Sequence, residues 1–206
     1  MNESYHLITS IEEINKSKVK IYLDYEFAFV LYKGELRSYS LKENETVSRK
    51  TIEEIYDKVL LLRGKKRALH LLQKRAYTER QLWDKLSENL YPEQVIESVI
   101  TYVKEYHYID DLQYVKDYIT YYSDYRSRGR IEMDLLKKGI RRDLIERVYS
   151  EMDTNVSSQQ EKKLIMQFLE KKHYDLQSAD YVEKQKMMAY LYRKGFSMDM
   201  IHQILG

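Results

Sequence analysis

Apolar and polar residues alternate over Lys18–Leu23 (KVKIYL), and Phe27–Leu31 is a short apolar run with aromatic and β-branched content. Both patterns predict β-strands, with Asp24-Tyr25-Glu26 as the turn between them. Lys33-Gly34 reads as a second turn before a further alternating run, Leu36–Leu41 (LRSYSL), and an earlier strand is placed around Leu7–Ile11. A sheet of two or three strands is marginal on its own and is expected to pack on the first helix.

From Val47 the period changes from 2 to 3.6. Ser48 can cap a helix whose apolar face carries Ile52, Ile55, Tyr56, Val59 and Leu62, and the basic run Arg63-Gly64-Lys65-Lys66-Arg67 is expected to interrupt or bend it. Ala68, Leu69, Leu71, Leu72 and Ala76 continue helically. Thr78-Glu79-Arg80-Gln81 has the spacing of a capping box ahead of Leu82, Trp83 and Leu86. Asn89 tolerates the left-handed conformation that ends a helix, and Pro92 with Glu93 suits the start of the next one. Val95, Ile96, Val99, Ile100 and Val103 form that helix's buried side.

The pattern then repeats. Tyr108-Ile109-Asp110-Asp111 opens a helix carrying Leu112, Val115, Tyr118, Ile119 and Tyr122, with Asp110 or Asp111 as its cap. Arg126–Val148 follows, with an apolar ladder (Ile131, Leu135, Leu136), then Lys137-Lys138-Gly139-Ile140, then Leu144, Ile145 and Val148. A near copy stands 56 residues on, in Leu191-Tyr192-Arg193-Lys194-Gly195-Phe196 with Ile201 and Ile204. A third copy lies upstream around Leu82–Val95, offset by 49 residues in its second helix and 50 in its third, with Asn89 opposite Gly139. Gly139 and Gly195 are expected to be helix-ending glycines. Asp153–Gln160 reads as a polar linker, Lys163–Lys172 and Ala179–Lys194 as helices, and Ser197 as the cap of a last helix ending at Leu205.

The predicted fold is mainly α. Three tandem three-helix repeats form an extended curved array, preceded by a small antiparallel β-hairpin or sheet and a linking helix. The divisions are 1–46 (β-hairpin or sheet), 47–67 (linking helix), and repeats at 68–105, 106–153 and 154–206.

Composition narrows the function. A single Pro and 6 Gly favour long helices, and the absence of Cys removes disulfides and thiolate metal sites. The first residues lack a basic segment followed by an apolar core, and no run approaches 18 apolar residues, so a cytoplasmic chain without membrane contact is expected. The net charge of +2 is too balanced for a protein that coats nucleic acid, so such a role needs a local patch. Arg126–Arg142 supplies one: Arg126, Arg128, Arg130, Lys137, Lys138, Arg141 and Arg142 against Glu132 and Asp134, an excess of five in seventeen residues. The 21 Tyr, against 4 Phe, are read as Phe substitutes on half-buried helix faces.

Ala68–Leu69–x–Leu71–Leu72–x–x–Arg75–x–x–Thr78–x–x–Gln81–Leu82, Tyr108-Ile109-Asp110-Asp111, and Arg130-Ile131 with Leu135–x–Lys137-Lys138-Gly139-Ile140 together resemble the RecX family of bacterial recombination regulators. Arg193-Lys194-Gly195-Phe196-Ser197 resembles the end of that family's third repeat. The resemblance spans roughly Ala68 to Leu205. Asn89 departs from the expected Gly, and Tyr114 and Tyr118 stand where other aromatic residues are common.

The resemblance implies a non-catalytic modulator, mainly an inhibitor, of RecA. It would lie in the groove of the RecA–single-stranded DNA filament, obstruct strand exchange and co-protease function, and so regulate recombination, DNA repair and the SOS response. The implied partner is the RecA filament, with direct contact to single-stranded DNA as an added option; no cofactor is expected, and an extended array of this kind is read as a monomer. Candidate contacts are the seven cations of Arg126–Arg142 together with Arg75.

Enzymatic readings find little support. His6, His70, His107, His173 and His202 are scattered, and the phosphate-loop, dinucleotide and nucleophile-elbow motifs are absent from the sequence. Asp110-Asp111 reads as a cap. Two alternatives stay open: a helical binder of single-stranded DNA in which Tyr121, Tyr122 and Tyr125 stack on bases, and a general protein–protein scaffold.

Overall fold

The computed structural model describes residues 4–152 and 154–206. The chain divides into two compact units, Met1–Ile109 and Asp110–Gly206.

Unit 1 begins with strands β1 (Tyr5–Glu13), β2 (Lys18–Leu23) and β3 (Glu26–Tyr32), and a short β4 (Thr46–Ser48) completes an antiparallel sheet in the order β3-β2-β1-β4. The β2–β3 turn is the expected one. Both central residues have positive φ (Asp24 50°, Tyr25 72°), the pattern whose twist matches paired strands. Asp24 tolerates this because its carboxylate accepts from Leu7 N at 2.9 Å and contacts His6 Nδ1 at 2.6 Å. These bonds hold the Asp24 carboxyl below its ordinary range.

The alternating run Leu36–Leu41 is not a strand. Lys33–Ser38 forms helix α1, because Glu35 reaches back to accept from Tyr32 N at 2.7 Å and Ser38 Oγ donates to Gly34 O. The β pairing falls to Thr46–Ser48 instead.

Ser48 caps α2 (Arg49–Ile55), accepting from Thr51 N. The helix passes through a π segment (Tyr56–Leu61) into α3 (Leu62–Leu72). The basic run at Arg63–Arg67 therefore leaves the helix unbroken, and the irregular turn lies just before it. Gly64 is needed where it stands, since a Cβ there would meet Val99 Cγ2 at 2.9 Å. α4 (Glu79–Ser87) carries the predicted capping box from Thr78, and α5 (Glu93–Glu105) buries its five predicted apolar residues. Sheet and helices share one core, running from Ile8, Ile21 and Phe29 through Ile55 and Leu60 to Leu82, Leu86 and Val99.

The turn after α4 corrects one residue. Leu90, not Asn89, takes the left-handed conformation (φ 60°), while Asn89 Nδ2 bonds back to Lys85 O at 2.7 Å. Leu90 thus stands opposite Gly139 at the offset of 49 that relates Leu82 to Ile131. The buried residues Ile96, Val99 and Ile100 correspond to Ile145, Val148 and Tyr149 at the same offset, so no residue is inserted between the two copies.

Unit 2 holds α6 (Asp111–Tyr122), α7 (Arg128–Lys137), α8 (Arg142–Glu151), α9 (Thr154–Lys171), α10 (Tyr181–Arg193) and α11 (Met198–Leu205). Asp110 caps α6, and Ser197 caps α11. Gly139 (φ 82°) and Gly195 (φ 89°) end α7 and α10 as expected. Of the predicted polar linker, Asp153 lies outside the described residues and Thr154 onward is helical, so α9 begins where a linker was expected. Two cores sit here: α6–α8 around Ile119, Ile131, Leu135 and Ile145, and α9–α11 around Ile165, Leu191, Phe196 and Ile201.

Candidate functional site

Unit 2 contains a groove of about 850 Å³ between its two three-helix groups, lined by Ile119, Arg126, Arg128, Gly129, Glu132, Arg142 and Tyr149 on one side and Glu161, Arg193, Gly195, Phe196 and Met200 on the other. Its base is the place where α7 begins. Ser127 caps α7 by accepting from Arg130 N at 3.2 Å, and the same hydroxyl donates to Lys194 O at 2.6 Å. Gly129 N donates to Gly195 O at 3.2 Å, and Arg128 N to Glu161 Oε1 at 2.9 Å. Side chains cannot enter this seam. A Cβ on Gly129 would meet Gly195 O at 2.5 Å, and one on Gly195 would lie 2.8 Å from Arg130 N and Ser127 Oγ. Burial pushes the Glu161 carboxyl above the usual glutamate range, against the opposing pull of Arg128.

The seven predicted cations do not form one free patch. Arg126 and Arg130 both bind Asp134, at 2.7 and 3.3 Å. Arg126 also donates to Tyr118 Oη and stacks 4.0 Å over Tyr122. Arg142 pairs with Glu132 and Arg141 with Asp143, a carboxylate one residue beyond the window counted in the sequence. Arg128 lies over the Tyr149 ring at 4.3 Å, Lys138 lies 5.5 Å over Tyr118, and Lys137 is exposed. Arg126, Arg128 and Arg142 line the groove; Arg130, Lys137, Lys138 and Arg141 are outside its lining. Arg75 belongs to unit 1, where its guanidinium sits 4.2 Å from the Tyr77 ring centre.

Three groove residues escaped the sequence reading. Arg193 is the counterpart of Lys137 in the later copy, and that equivalence was the available signal. Tyr149, whose buried Oη meets no hydrogen-bonding partner, and Glu161 gave none, because their setting depends on residues far away in the chain. The tyrosine expectation fits α6, where Tyr114, Tyr118 and Tyr122 pack against the local core and their rings meet at four-residue intervals, the first pair stacked and the second tilted. Tyr121 and Tyr125 are exposed at 69% each.

Among the described residues, no cluster of three or more His, Cys, Asp or Glu could hold a metal ion, and no helix is long and apolar enough to cross a membrane.

Sequence models of the first and third three-helix domains of RecX match residues 65–102 and 159–205. The regulatory protein RecX of Clostridioides difficile is 28% identical, over 97% of this chain and 94% of its own. That of Caldanaerobacter subterraneus is 29% identical, over 97% and 98%. A crystal structure of regulatory protein RecX superposes with a TM-score of 0.63 at 25% identity, covering 97% of this chain and 98% of that one. The chain is thus similar to RecX proteins over nearly its whole length. The RecX of Lactobacillus salivarius, at 22% identity, shares the fold with a TM-score of 0.61 over 71% of this chain. The groove lies between α6–α8 and α9–α11, and the third-domain match at 159–205 falls on α9–α11.

Proposed function

We propose that this chain regulates RecA, and that it does so mainly as an inhibitor, by lying along the groove of the RecA–single-stranded DNA filament. Similarity to RecX proteins over nearly the whole chain supports the general role. The groove of unit 2 supports the finer one: Arg126, Arg128, Arg142 and Arg193 ring a partly apolar base that includes Phe196 and Met200. Arginines held over aromatic rings are pre-positioned, so little side-chain freedom is lost when they meet a carboxylate or phosphate. The remaining cations, Arg130, Lys137, Lys138 and Arg141, extend the contact beyond the groove, and Arg75 is a separate contact from unit 1. On this reading the repeats 68–105, 106–153 and 154–206 follow the filament as a monomeric, non-catalytic, cytoplasmic chain.

The test is RecA-driven strand exchange with this chain present below the RecA concentration. Inhibition is expected, and an Arg128→Gln/Arg193→Gln variant with unchanged circular dichroism should inhibit at least tenfold less well. RecA activity unaffected by an excess of the wild-type chain overturns the proposal.

Direct binding of single-stranded DNA is the second reading, favoured by the exposed rings of Tyr121 and Tyr125 close in sequence to Arg126. It predicts tight oligonucleotide binding without RecA, falling steeply with salt.

A further inference from the structure

The face of α3 next to its buried side carries a second cationic site, in the other compact unit. Arg63, Lys66, Arg67 and His70 follow the spacing i, i+3, i+4, i+7, so they share one side of the helix. Gly64, Ala68 and Leu71 occupy the buried side. The cationic stripe lines a cavity of about 470 Å³ whose far wall is the sheet, which contributes Lys18, and whose rim includes Tyr32 and Tyr91. No carboxylate is among the lining residues.

Two of the arginines are in distinct states. Arg63 is held in place: it pairs with Glu35 at 3.0 Å from outside the cavity, donates to Val30 O at 2.6 Å, and lies 5.0 Å over the Tyr32 ring. Arg67 is not. Its Nε is buried and meets no acceptor. A buried guanidinium donor without a partner is costly, and such groups are rare in folded proteins. An acceptor supplied from outside would relieve it.

We propose that this cavity binds a phosphate group, either on a free nucleotide or in the backbone of a single-stranded oligonucleotide. Arg67 presents a forked donor set that suits tetrahedral phosphate oxygens, and Lys18 and Lys66 add compact point charges from opposite walls. A single carboxylate would leave most of that charge unbalanced, whereas a phosphate accepts from several donors at once. Tyr32 and Tyr91 hold the cations in place, with Lys18 and Arg63 over the Tyr32 ring and Arg63 over the Tyr91 ring. The site is independent of the groove in unit 2 and of RecA.

The experiment uses the full chain without RecA. Binding of dTMP is followed by calorimetry, and binding of a fluorescein-labelled oligothymidylate by anisotropy across a salt series. Lys66→Gln/Arg67→Gln removes two cavity cations, Lys18→Gln removes one from the sheet wall, and Lys42→Gln/Lys50→Gln removes two exposed charges elsewhere in unit 1 as a control for net charge. Affinity is expected to fall about tenfold in the double cavity variant and several-fold in Lys18→Gln, with a shallower salt dependence, while the control stays within twofold of wild type. Binding of dTMP that competes with the oligonucleotide identifies a single phosphate as sufficient. Oligonucleotide binding alone identifies the backbone. Both outcomes support the site. Wild-type affinity for both probes in the cavity variants, with folding intact by circular dichroism, overturns it, as does an equal loss in the control.

Discussion

Unit 1 and unit 2 solve the same packing problem differently. In Met1–Ile109 the sheet and the first three-helix group share one continuous core of 20 buried residues. In Asp110–Gly206 the described residues form two cores of 8 buried residues each. The seam between those two carries backbone and side-chain hydrogen bonds around Ser127, Gly129 and Gly195. A core of eight residues is small for independent stability. The comparison teaches that a sheet can serve a helical repeat as a partner in burial, whereas neighbouring repeats can be joined by precise polar contacts that leave a groove open beside them.

The largest expected effect tests the shared core. Phe29→Ala, at a site 1% exposed, should cost about 3–5 kcal/mol. Hydrogen exchange should show strands and α3–α5 losing protection together. Loss confined to the strands would break the contrast.

The next effect compares two glycines with the same local role. Gly139 and Gly195 both end helices in the left-handed region, so alanine at either costs about 1–2 kcal/mol in backbone strain. At Gly195 a Cβ would in addition meet Arg130 N and Ser127 Oγ at 2.8 Å, so overpacking should add about 1–3 kcal/mol to the cost of Gly195→Ala. Urea unfolding of the two variants measures the difference, and equal values would remove the seam from the account.

Ser127→Ala follows at about 1–2 kcal/mol, since one hydroxyl both caps α7 and bonds Lys194 O. Ser197→Ala, whose hydroxyl caps α11 from an exposed position, should cost less.

The smallest effect is a pH dependence. The Glu161 carboxyl is raised by burial, so the native state holds its proton more tightly than the unfolded chain. Stability from this group is present at acid pH and declines as pH rises from the ordinary glutamate range through the raised value. Glu161→Gln keeps an acceptor for Arg128 N and removes that decline. It should match wild type near pH 4 and be the more stable of the two near pH 7, by urea titration at each pH. A variant less stable at pH 7 would show that the charge itself holds the seam.

What was legible in the sequence was local. Period-3.6 ladders such as Ile131 and Leu135 located helices, and Ser48, Thr78, Asp110 and Ser197 marked their starts because a cap acts within three residues. Leu36–Leu41 misled because a single carboxylate, Glu35, tipped the segment to helix. Asn89 misled because its amide served the turn as a side chain while Leu90 took the strained backbone. The groove was only half visible. The cations of Arg126–Arg142 could be counted, but their pairing with Asp134, Glu132 and Asp143 is a matter of rotamers. Ser127 and Lys194, 67 positions apart, share nothing that periodicity can detect.

The π segment at Tyr56–Leu61 has a consequence for phase. An α-helix turns about 100° per residue, so helix order fixes which way every later side chain looks. A π turn absorbs one extra residue and resets that bearing. Ahead of it Ile55 joins the shared core and Tyr56, at its first position, meets Phe29 edge-on at 5.7 Å; past it Gly64 faces Val99 and the cationic stripe faces the cavity. Removing one residue here would leave each half intact and yet mis-aim the second, as a gear that skips a tooth drives every later wheel out of step.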